Sequence, residues 1–160
     1  MVRPYNQIMR KINRIVIHCS AGSATQRASA IIAYHTLPVA RGGRGWHAPG
    51  YHYIIEADGN IVASWPEDRV ANGVRGFNAD SIHICYTGGL DACGHPADTR
   101  TPAQKAALRR IITDLRQRFG PLPVVGHRDL SPDCNGNGRL EPSEWLKPCP
   151  CFDARNEYAL

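Results

Sequence analysis

The segment from Asn13 to Cys19 constrains the fold more than any other part of the chain. Its centre, Ile15-Val16-Ile17, is apolar and β-branched, which is typical of a buried strand. His18 stands at the carboxyl end of this predicted strand, and ligands of open α/β sheets usually bind at that end. The sequence therefore predicts a buried strand that carries a histidine toward a ligand site.

Two helices are predicted from hydrophobic spacing and from residues that start or stop helices. The first runs from Thr25 to Leu37 and is stopped by Pro38. The second starts at a capping box, Thr101-Pro102-Ala103-Gln104, and carries one apolar stripe that ends before Gly120-Pro121. The stripe consists of Leu108, Ile111, Ile112, Leu115 and Phe119.

Four further strands are predicted. Tyr51–Glu56 and Ile61–Trp65 flank Asp58-Gly59-Asn60, whose Asp-Gly pair is typical of a tight antiparallel hairpin. Ser81–Tyr86 alternates like a strand. Pro123–His127 is a short last strand, and it places a second histidine at its end.

Length and charge narrow the fold and the function classes. A chain of 160 residues has the usual size of one domain, and we predict a single α/β domain over residues 1–160. In this domain a central mixed sheet of about five to six strands is flanked by helices. A net charge of +5 favours an anionic partner, but the basic residues lack the aromatic interleaving of a nucleic-acid platform. We therefore expect no nucleic-acid partner.

Nothing in the sequence indicates a membrane partner or export. No apolar run approaches membrane-spanning length, and Met1–Gln7 lacks the apolar core of a signal peptide. We therefore expect synthesis in the cytoplasm. The six cysteines are then expected to be mostly reduced.

Two strand-end histidines and a cysteine in the tail suggest a metal site. The tail Lys147-Pro148-Cys149-Pro150-Cys151-Phe152 holds two cysteines. On chemistry alone either of them could join His18 and His127. Imidazole and thiolate suit zinc, and a site with three protein ligands leaves a fourth position for the water that catalysis needs. The residues alone indicate a candidate catalytic zinc site without fixing its cysteine.

Five motifs in a fixed order carry a resemblance to a known family. They are Ile17-His18-Cys19-Ser20, Gly50-Tyr51-His52-Tyr53-Ile54-Ile55, Gly76-Phe77-Asn78-Ala79-Asp80-Ser81-Ile82, Gly126-His127-Arg128-Asp129 and Lys147-Pro148-Cys149-Pro150-Cys151-Phe152-Asp153. Over about residues 13–153 the chain resembles the type 2 N-acetylmuramoyl-L-alanine amidases, a superfamily that includes phage amidase lysozymes and peptidoglycan recognition proteins. The resemblance implies hydrolysis of the amide bond between N-acetylmuramic acid and L-alanine of bacterial peptidoglycan. Together with the chain's size it implies a monomer. The missing signal peptide suits release to the cell wall through a holin or a secretion machine, and the sequence leaves the route of export open.

The resemblance also assigns roles to individual residues. It implies that His18, His127 and Cys149 bind zinc, the Lys-x-Cys-Pro spacing favouring this cysteine. Tyr51 and Lys147 would stabilise the negative charge that develops on oxygen during hydrolysis. Two other classes stay open, a non-catalytic peptidoglycan-binding module and a calcium-dependent interaction domain. Binding-only relatives commonly lack the cysteine ligand, so its presence favours the enzyme.

Four residues are expected to contact the substrate. They are Trp46, His52, Asn78 and Ser81, with Trp46 placed to face the glycan beside the Gly-rich loop 41–45. His35 is predicted to be packed or hydrogen-bonded, and His47, His83 and His95 are predicted to be bystanders. The chain departs from the family pattern at Val70-Ala71-Asn72-Gly73, where relatives often have Val-Gly-x-His. A substrate-facing side chain is therefore missing, which affects peptide preference rather than the chemistry.

Residues 133–144 match the loop template of EF-hand calcium sites. The expected oxygen ligands are Asp133, Asn135, Asn137, the carbonyl of Arg139 and bidentate Glu144. Because Ser131-Pro132 precedes the loop and Pro148 follows it closely, a paired EF-hand with long helices is not expected. Bound calcium would be structural and would hold the neighbouring zinc ligands in register. The alternative is an Asn/Gly turn without an ion.

Overall fold

The computed structural model describes residues 10–160, and a five-stranded mixed sheet forms its centre. The strands are β1 (Arg14–Cys19), β2 (Tyr53–Ile55), β3 (Ile61–Ala63), β4 (Ser81–Tyr86) and β5 (Val124–Gly126). Their order is β3-β2-β4-β1-β5, and only β3 runs antiparallel to its neighbour. The structure confirms the predicted mixed sheet. The expectation about Met1–Gln7 lies outside the described residues.

Within the described residues three α-helices accompany the sheet: α1 (Ala28–Thr36), α2 (Pro102–Phe119) and α3 (Ala154–Glu157). α2 begins at the predicted capping box, in which Thr101 Oγ1 accepts from Gln104 N at 3.0 Å and Gln104 Oε1 accepts from Thr101 N at 3.0 Å. α1 begins three residues after the predicted start. Within residues 10–160 no helix combines the length and the apolar character needed to cross a membrane.

Alternation along the strands sends side chains to two separate layers. Ile15 and Ile17 of β1 pack with the buried apolar face of α2. Because successive residues of a strand face opposite sides, Val16 and His18 lie on the other face of the sheet. On that face α1 packs through Ala28 and Ile31 against β2 and β4. Helices therefore flank both faces, and His18 belongs to the α1 side.

The register of β1 and β5 explains why two distant histidines meet. The strands are parallel neighbours with Ile17 opposite Gly126. The next residues along the two strands are His18 and His127, one at the end of β1 and one immediately after β5. The carboxyl ends of parallel strands meet at one edge of the sheet. Both imidazoles therefore reach the same edge.

Candidate metal centre

Three potential metal-ligating atoms converge at this edge of the sheet. His18 Nδ1 lies 3.2 Å from His127 Nδ1 and 3.9 Å from Cys149 Sγ. All three donor atoms lie within 4.8 Å of one another. A tetrahedral zinc ion with ordinary bond lengths places two nitrogens about 3.3 Å apart and a nitrogen and a sulfur about 3.6 Å apart. The identity and the spacing of these donors fit zinc.

Backbone contacts hold Cys149 rather than Cys151 next to the imidazoles. Cys19 N donates to Cys149 Sγ at 3.2 Å, and Arg128 N donates to Cys149 O at 2.8 Å. Cys151 turns away, with a left-handed φ of 70° and its Sγ 3.8 Å from Cys19 Sγ. Of the two tail cysteines, it is therefore Cys149 that lies next to the histidine pair.

Burial keeps the two imidazoles neutral. The pKa of His18 lies well below its usual value because the ring is buried and because His83 and His127 lie nearby. Burial lowers the pKa of His127 to about 4, and the positive charge of Lys147 contributes to this shift. Neutral imidazole is the form that binds a metal ion, so both rings are ready to act as ligands at neutral pH.

A cavity of about 450 Å³ opens beside the three donors. His127, Lys147, Cys149 and Tyr51 line it. His18 lies beneath the cavity and is 1% exposed. A metal ion at this position would have protein donors on one side and the cavity on the other. This is the arrangement of a catalytic site, because a structural zinc site is closed by a fourth protein ligand.

Two side chains at the cavity can stabilise negative charge. The ring of Tyr51 lies 5.0 Å from that of His18, and burial raises the pKa of its hydroxyl well above the usual range. The hydroxyl therefore stays protonated and can donate a hydrogen bond. Lys147 is exposed at the cavity and stands two residues before Cys149. Tyr51 and Lys147 thus both line the cavity beside the three donors, and a phenol and an ammonium are groups that can stabilise negative charge on oxygen.

Trp46 lines the same cavity, as a substrate-contacting residue should. Its ring stacks on His35, with centroids 4.9 Å apart and planes 19° apart. The guanidinium carbon of Arg44 lies 5.2 Å from the Trp46 ring. The cavity wall is therefore an aromatic surface with a cation beside it. The contact of Trp46 with glycan stays a prediction.

The residues that line the cavity do not include His52, Asn78 or Ser81, so the expectation that they contact a substrate finds no support there. His52 and Ser81 are fully buried. Ser81 Oγ donates to Phe77 O at 2.6 Å, and Asn78 Oδ1 accepts from Val74 N at 2.7 Å. These bonds shape the turn that leads into β4. The motif in which Asn78 and Ser81 occur therefore has a structural role in this chain.

His83 was predicted to be a bystander; it is not one of the metal donors, but it contacts one of them. Its Nδ1 lies 3.0 Å from His18 Nε2, and the ring is fully buried. A Cβ atom at Gly73 would lie 2.4 Å from His83 Nδ1, so the glycine makes room for this ring. The contact depends on the pairing register of β1 and β4, which places Val16 opposite His83. Composition and spacing alone do not reveal that register.

The calcium-loop segment is a closed, exposed loop. Glu144 Oε1 accepts from Cys134 N at 2.8 Å and from Asn135 N at 3.1 Å. The carboxylate of Asp133 accepts from the backbone N–H groups of Gly136 and Gly138. A short 3₁₀-helical turn, His127–Leu130, precedes the loop, and a second, Pro142–Glu144, forms its last three residues; neither is a long helix. Calcium binding by this loop stays a prediction.

Comparison with known proteins places this geometry in a family context. Residues 8–142 match the family described as N-acetylmuramoyl-L-alanine amidase. The endolysin of Klebsiella phage KP32 is 32% identical over 148 residues, which cover 91% of this chain and 85% of the phage protein.

Two solved structures have a similar fold. The Ph2119 endolysin from Thermus scotoductus MAT2119 bacteriophage Ph2119 superimposes with a TM-score of 0.64 at 27% identity, covering 88% of this chain and 77% of the endolysin. The ectodomain complex of peptidoglycan recognition proteins LCa and LCx, solved with tracheal cytotoxin bound, gives a TM-score of 0.67 at 19% identity. That match covers 94% of this chain and 82% of the recognition protein. At this identity it shows a similar fold and nothing more.

Proposed function

This chain belongs to the N-acetylmuramoyl-L-alanine amidase family and is a peptidoglycan amidase; we propose that its reaction depends on a zinc ion held by His18, His127 and Cys149. The observation that carries this proposal is the convergence of two neutral imidazoles and one thiol beside an open cavity. The proposed reaction is hydrolysis of the amide bond between N-acetylmuramic acid and L-alanine.

The side chains around the cavity suit the hydrolysis of an amide. Zinc at this position would supply Lewis acidity, polarising the scissile carbonyl and lowering the pKa of water toward neutrality. Tyr51 keeps its proton and donates to the oxygen on which negative charge develops. Lys147 places a positive charge at the same cavity. Removing either group should therefore affect the rate more than the binding of zinc.

We further propose that the cavity holds the muramic acid and the first residues of the stem peptide. Trp46 offers an aromatic face of the kind on which sugars pack, and Arg44 offers a cation for a peptide carboxylate. The family match and the endolysin relative support a peptidoglycan fragment as the occupant. The chain's net charge of +5 also favours the anionic wall polymer.

Digestion of purified sacculi tests the proposed function. The zinc-loaded protein should release free stem peptides whose new amino terminus is L-alanine, and the glycan strands should stay intact. A chelator should abolish this release, and added zinc should restore it. Release that persists in chelator would overturn the zinc dependence. New reducing sugar ends without free stem peptides would overturn the amidase assignment.

The same experiment separates the enzyme from a binding module. A module that only binds would sediment with sacculi and release no peptide, with or without zinc. Tyr51→Phe provides a matched comparison because it removes one hydroxyl and leaves the ring against His18. We expect this variant to sediment with sacculi as the unmodified protein does and to release peptides at least about a hundredfold more slowly.

A further inference from the structure

We propose that His83 is a positioning residue for the metal centre: it fixes the orientation of His18, so that Nδ1 of His18 faces the metal. The inference rests on the proposed zinc site and goes beyond it. His83 does not line the cavity, and it is not one of the three metal donors. It assigns a role to a histidine on β4, the strand next to β1, that contacts a proposed ligand without being one.

The argument begins with the two nitrogens of His18. Nδ1 faces His127 and Cys149, whereas Nε2 lies 3.0 Å from His83 Nδ1. A neutral imidazole that gives its Nδ1 lone pair to a metal carries its proton on Nε2. That N–H then donates to His83 Nδ1. The hydrogen bond selects the tautomer that a ligand at this position needs, and it also holds the plane of the ring.

His83 is itself held rigidly, as a positioning residue must be. Its backbone N–H donates to His52 Nδ1 at 3.0 Å, and its carbonyl accepts from His52 N at 2.9 Å. The two rings stack with planes 6° apart. Gly73 also lies close to the ring, because a Cβ atom there would come within 2.4 Å of His83 Nδ1. The acceptor atom therefore cannot move away from His18 without disturbing the sheet.

Among the described residues the second nitrogen of His83 has no hydrogen-bond partner, and the resulting loss of stability indicates that the histidine has a function. If His83 Nδ1 accepts from His18, the proton of His83 lies on Nε2. His83 Nε2 is buried, and nothing in residues 10–160 pairs with it. A buried donor without a partner lowers stability, and an apolar side chain would avoid that cost. The histidine is thus better explained by what its other nitrogen does for His18 than by packing.

Two substitutions of nearly equal shape test the proposal. In His83→Asn the Oδ1 atom can take the place of Nδ1 as acceptor, whereas His83→Leu has the same branching and no acceptor. Zinc affinity is measured by competition with a chromophoric chelator, and thermal stability is measured on the zinc-free proteins. We expect His83→Leu to bind zinc about 10 to 100 times more weakly than the unmodified protein. His83→Asn should stay within about threefold of it.

The two readouts separate positioning from packing. A buried leucine suits a core better than a buried asparagine, so the zinc-free leucine variant should be the more stable of the two. Zinc affinity should follow the opposite order. Ile82→Val, on the other face of β4, is the matched control for general damage and should lower stability without changing zinc affinity. Equal zinc affinity of the asparagine and leucine variants would overturn the proposal.

Failure of the proposal is distinguishable from failure of the proposed function. If the unmodified protein binds no zinc, the zinc site itself is wrong. If it binds zinc and both His83 variants bind equally well, only the positioning role is wrong. Should both variants fail to fold, ¹⁵N spectra of the histidine rings of the unmodified zinc-free protein decide the question. A proton on Nε2 of His18 supports the proposal, and a proton on Nδ1 overturns it.

Discussion

Cys149 and Cys151 are two residues apart, yet they have different neighbours. The thiol of Cys149 lies with the imidazoles of the metal centre, whereas that of Cys151 lies against Cys19 and the carbonyl of Gly89. We predict that Cys149→Ala loses stoichiometric zinc and all turnover, because one of three ligands is gone. Cys151→Ala is the matched control and should keep both. Metal analysis after gel filtration, with sacculus digestion on the same samples, measures the outcome.

The opposite pattern would contradict the ligand assignment. Stoichiometric zinc and full activity in Cys149→Ala, with loss of both in Cys151→Ala, would mean that the tail binds the metal in another register. Loss in both variants with a folded protein would mean that the two thiols act together. Circular dichroism of the zinc-free proteins checks that each variant is folded.

Lys147 provides a separate prediction, because its charge is not needed to hold the metal. We expect Lys147→Met to keep zinc and to release stem peptides at least about a hundredfold more slowly. The reason is that the ammonium acts on charge that develops during hydrolysis, not on the ground state. Lys11→Met, at another exposed lysine, is the control. A Lys147→Met variant with an unchanged rate would remove this lysine from the mechanism.

The sequence could predict the three candidate ligands, but not the histidine that contacts His18. His18 and His127 were identifiable because each follows a short apolar β-branched run, a local pattern. Cys149 required the resemblance, since two cysteines fit the chemistry equally well. His83 could not be found in this way, because its contact with His18 depends on which strand lies beside β1 and in what register.

Among the elements, those with complete local signals were predicted best. α2 starts and ends where its capping box and Gly120 place it, because every signal lies within the helix itself. The start of α1 was predicted too early, since Arg27 is its N-cap without any side-chain hydrogen bond to mark it. α3 was missed. Its one turn is capped by Asp153, a signal too short to recognise without the structure.

The loop 133–144 carries a prediction about calcium. We expect calcium to bind to this loop in the zinc-loaded protein and Glu144→Gln to weaken that binding, since a neutral amide replaces a charged ligand. The amide oxygen can still accept from the backbone N–H groups of Cys134 and Asn135, and the variant loses only the hydrogen bond from Glu141 N to the second oxygen. Isothermal calorimetry measures the difference, with Asp68→Asn as the control at an exposed carboxylate outside the loop.

Two results would decide against calcium. No heat at millimolar calcium would remove the prediction, and equal heats for the unmodified protein and Glu144→Gln would place the ion elsewhere. Where calcium does bind, saturation at 100 times Kd stabilises the folded state by about 2.7 kcal/mol, so Tm should rise. The same rise should be absent in Glu144→Gln.

At the level of the whole molecule, strand order determines the site. The sequence predicted strands and their number, but not that β1 lies between β4 and β5. That order brings His18 and His127 to one edge of the sheet. It also places His83 on the neighbouring strand, in contact with His18. The pairing of strands far apart in sequence depends on tertiary packing, which local patterns do not encode. Functional residues set by such pairing are therefore visible only in the folded chain.

Burial of a histidine network should also make the stability of the whole protein depend on pH. His52 is fully buried, and its Nε2 lies 3.0 Å from the Arg69 carbonyl oxygen and 2.9 Å from Arg10 Nη2. Burial lowers its pKa to about 4; the Arg69 carbonyl and Glu67 oppose this shift, and the charge of Arg10 adds to it. In the unfolded chain the pKa of histidine is about 6.5. Between these values the unfolded chain binds a proton that the folded protein lacks.

The sign of the effect follows from this difference in bound protons. The contribution of His52 to the free energy of unfolding is complete above about pH 6.5 and is lost as the pH falls toward about 4, by about 1.4 kcal/mol per pH unit. We therefore expect the zinc-free protein to become less stable from pH 7 to pH 5, as measured by urea unfolding. His52→Gln cannot take up this proton, so its stability should fall less steeply with pH, whatever its stability at pH 7. Parallel curves for the two proteins would show that His52 is protonated equally in the folded and unfolded states, and the acid sensitivity would then belong to other groups.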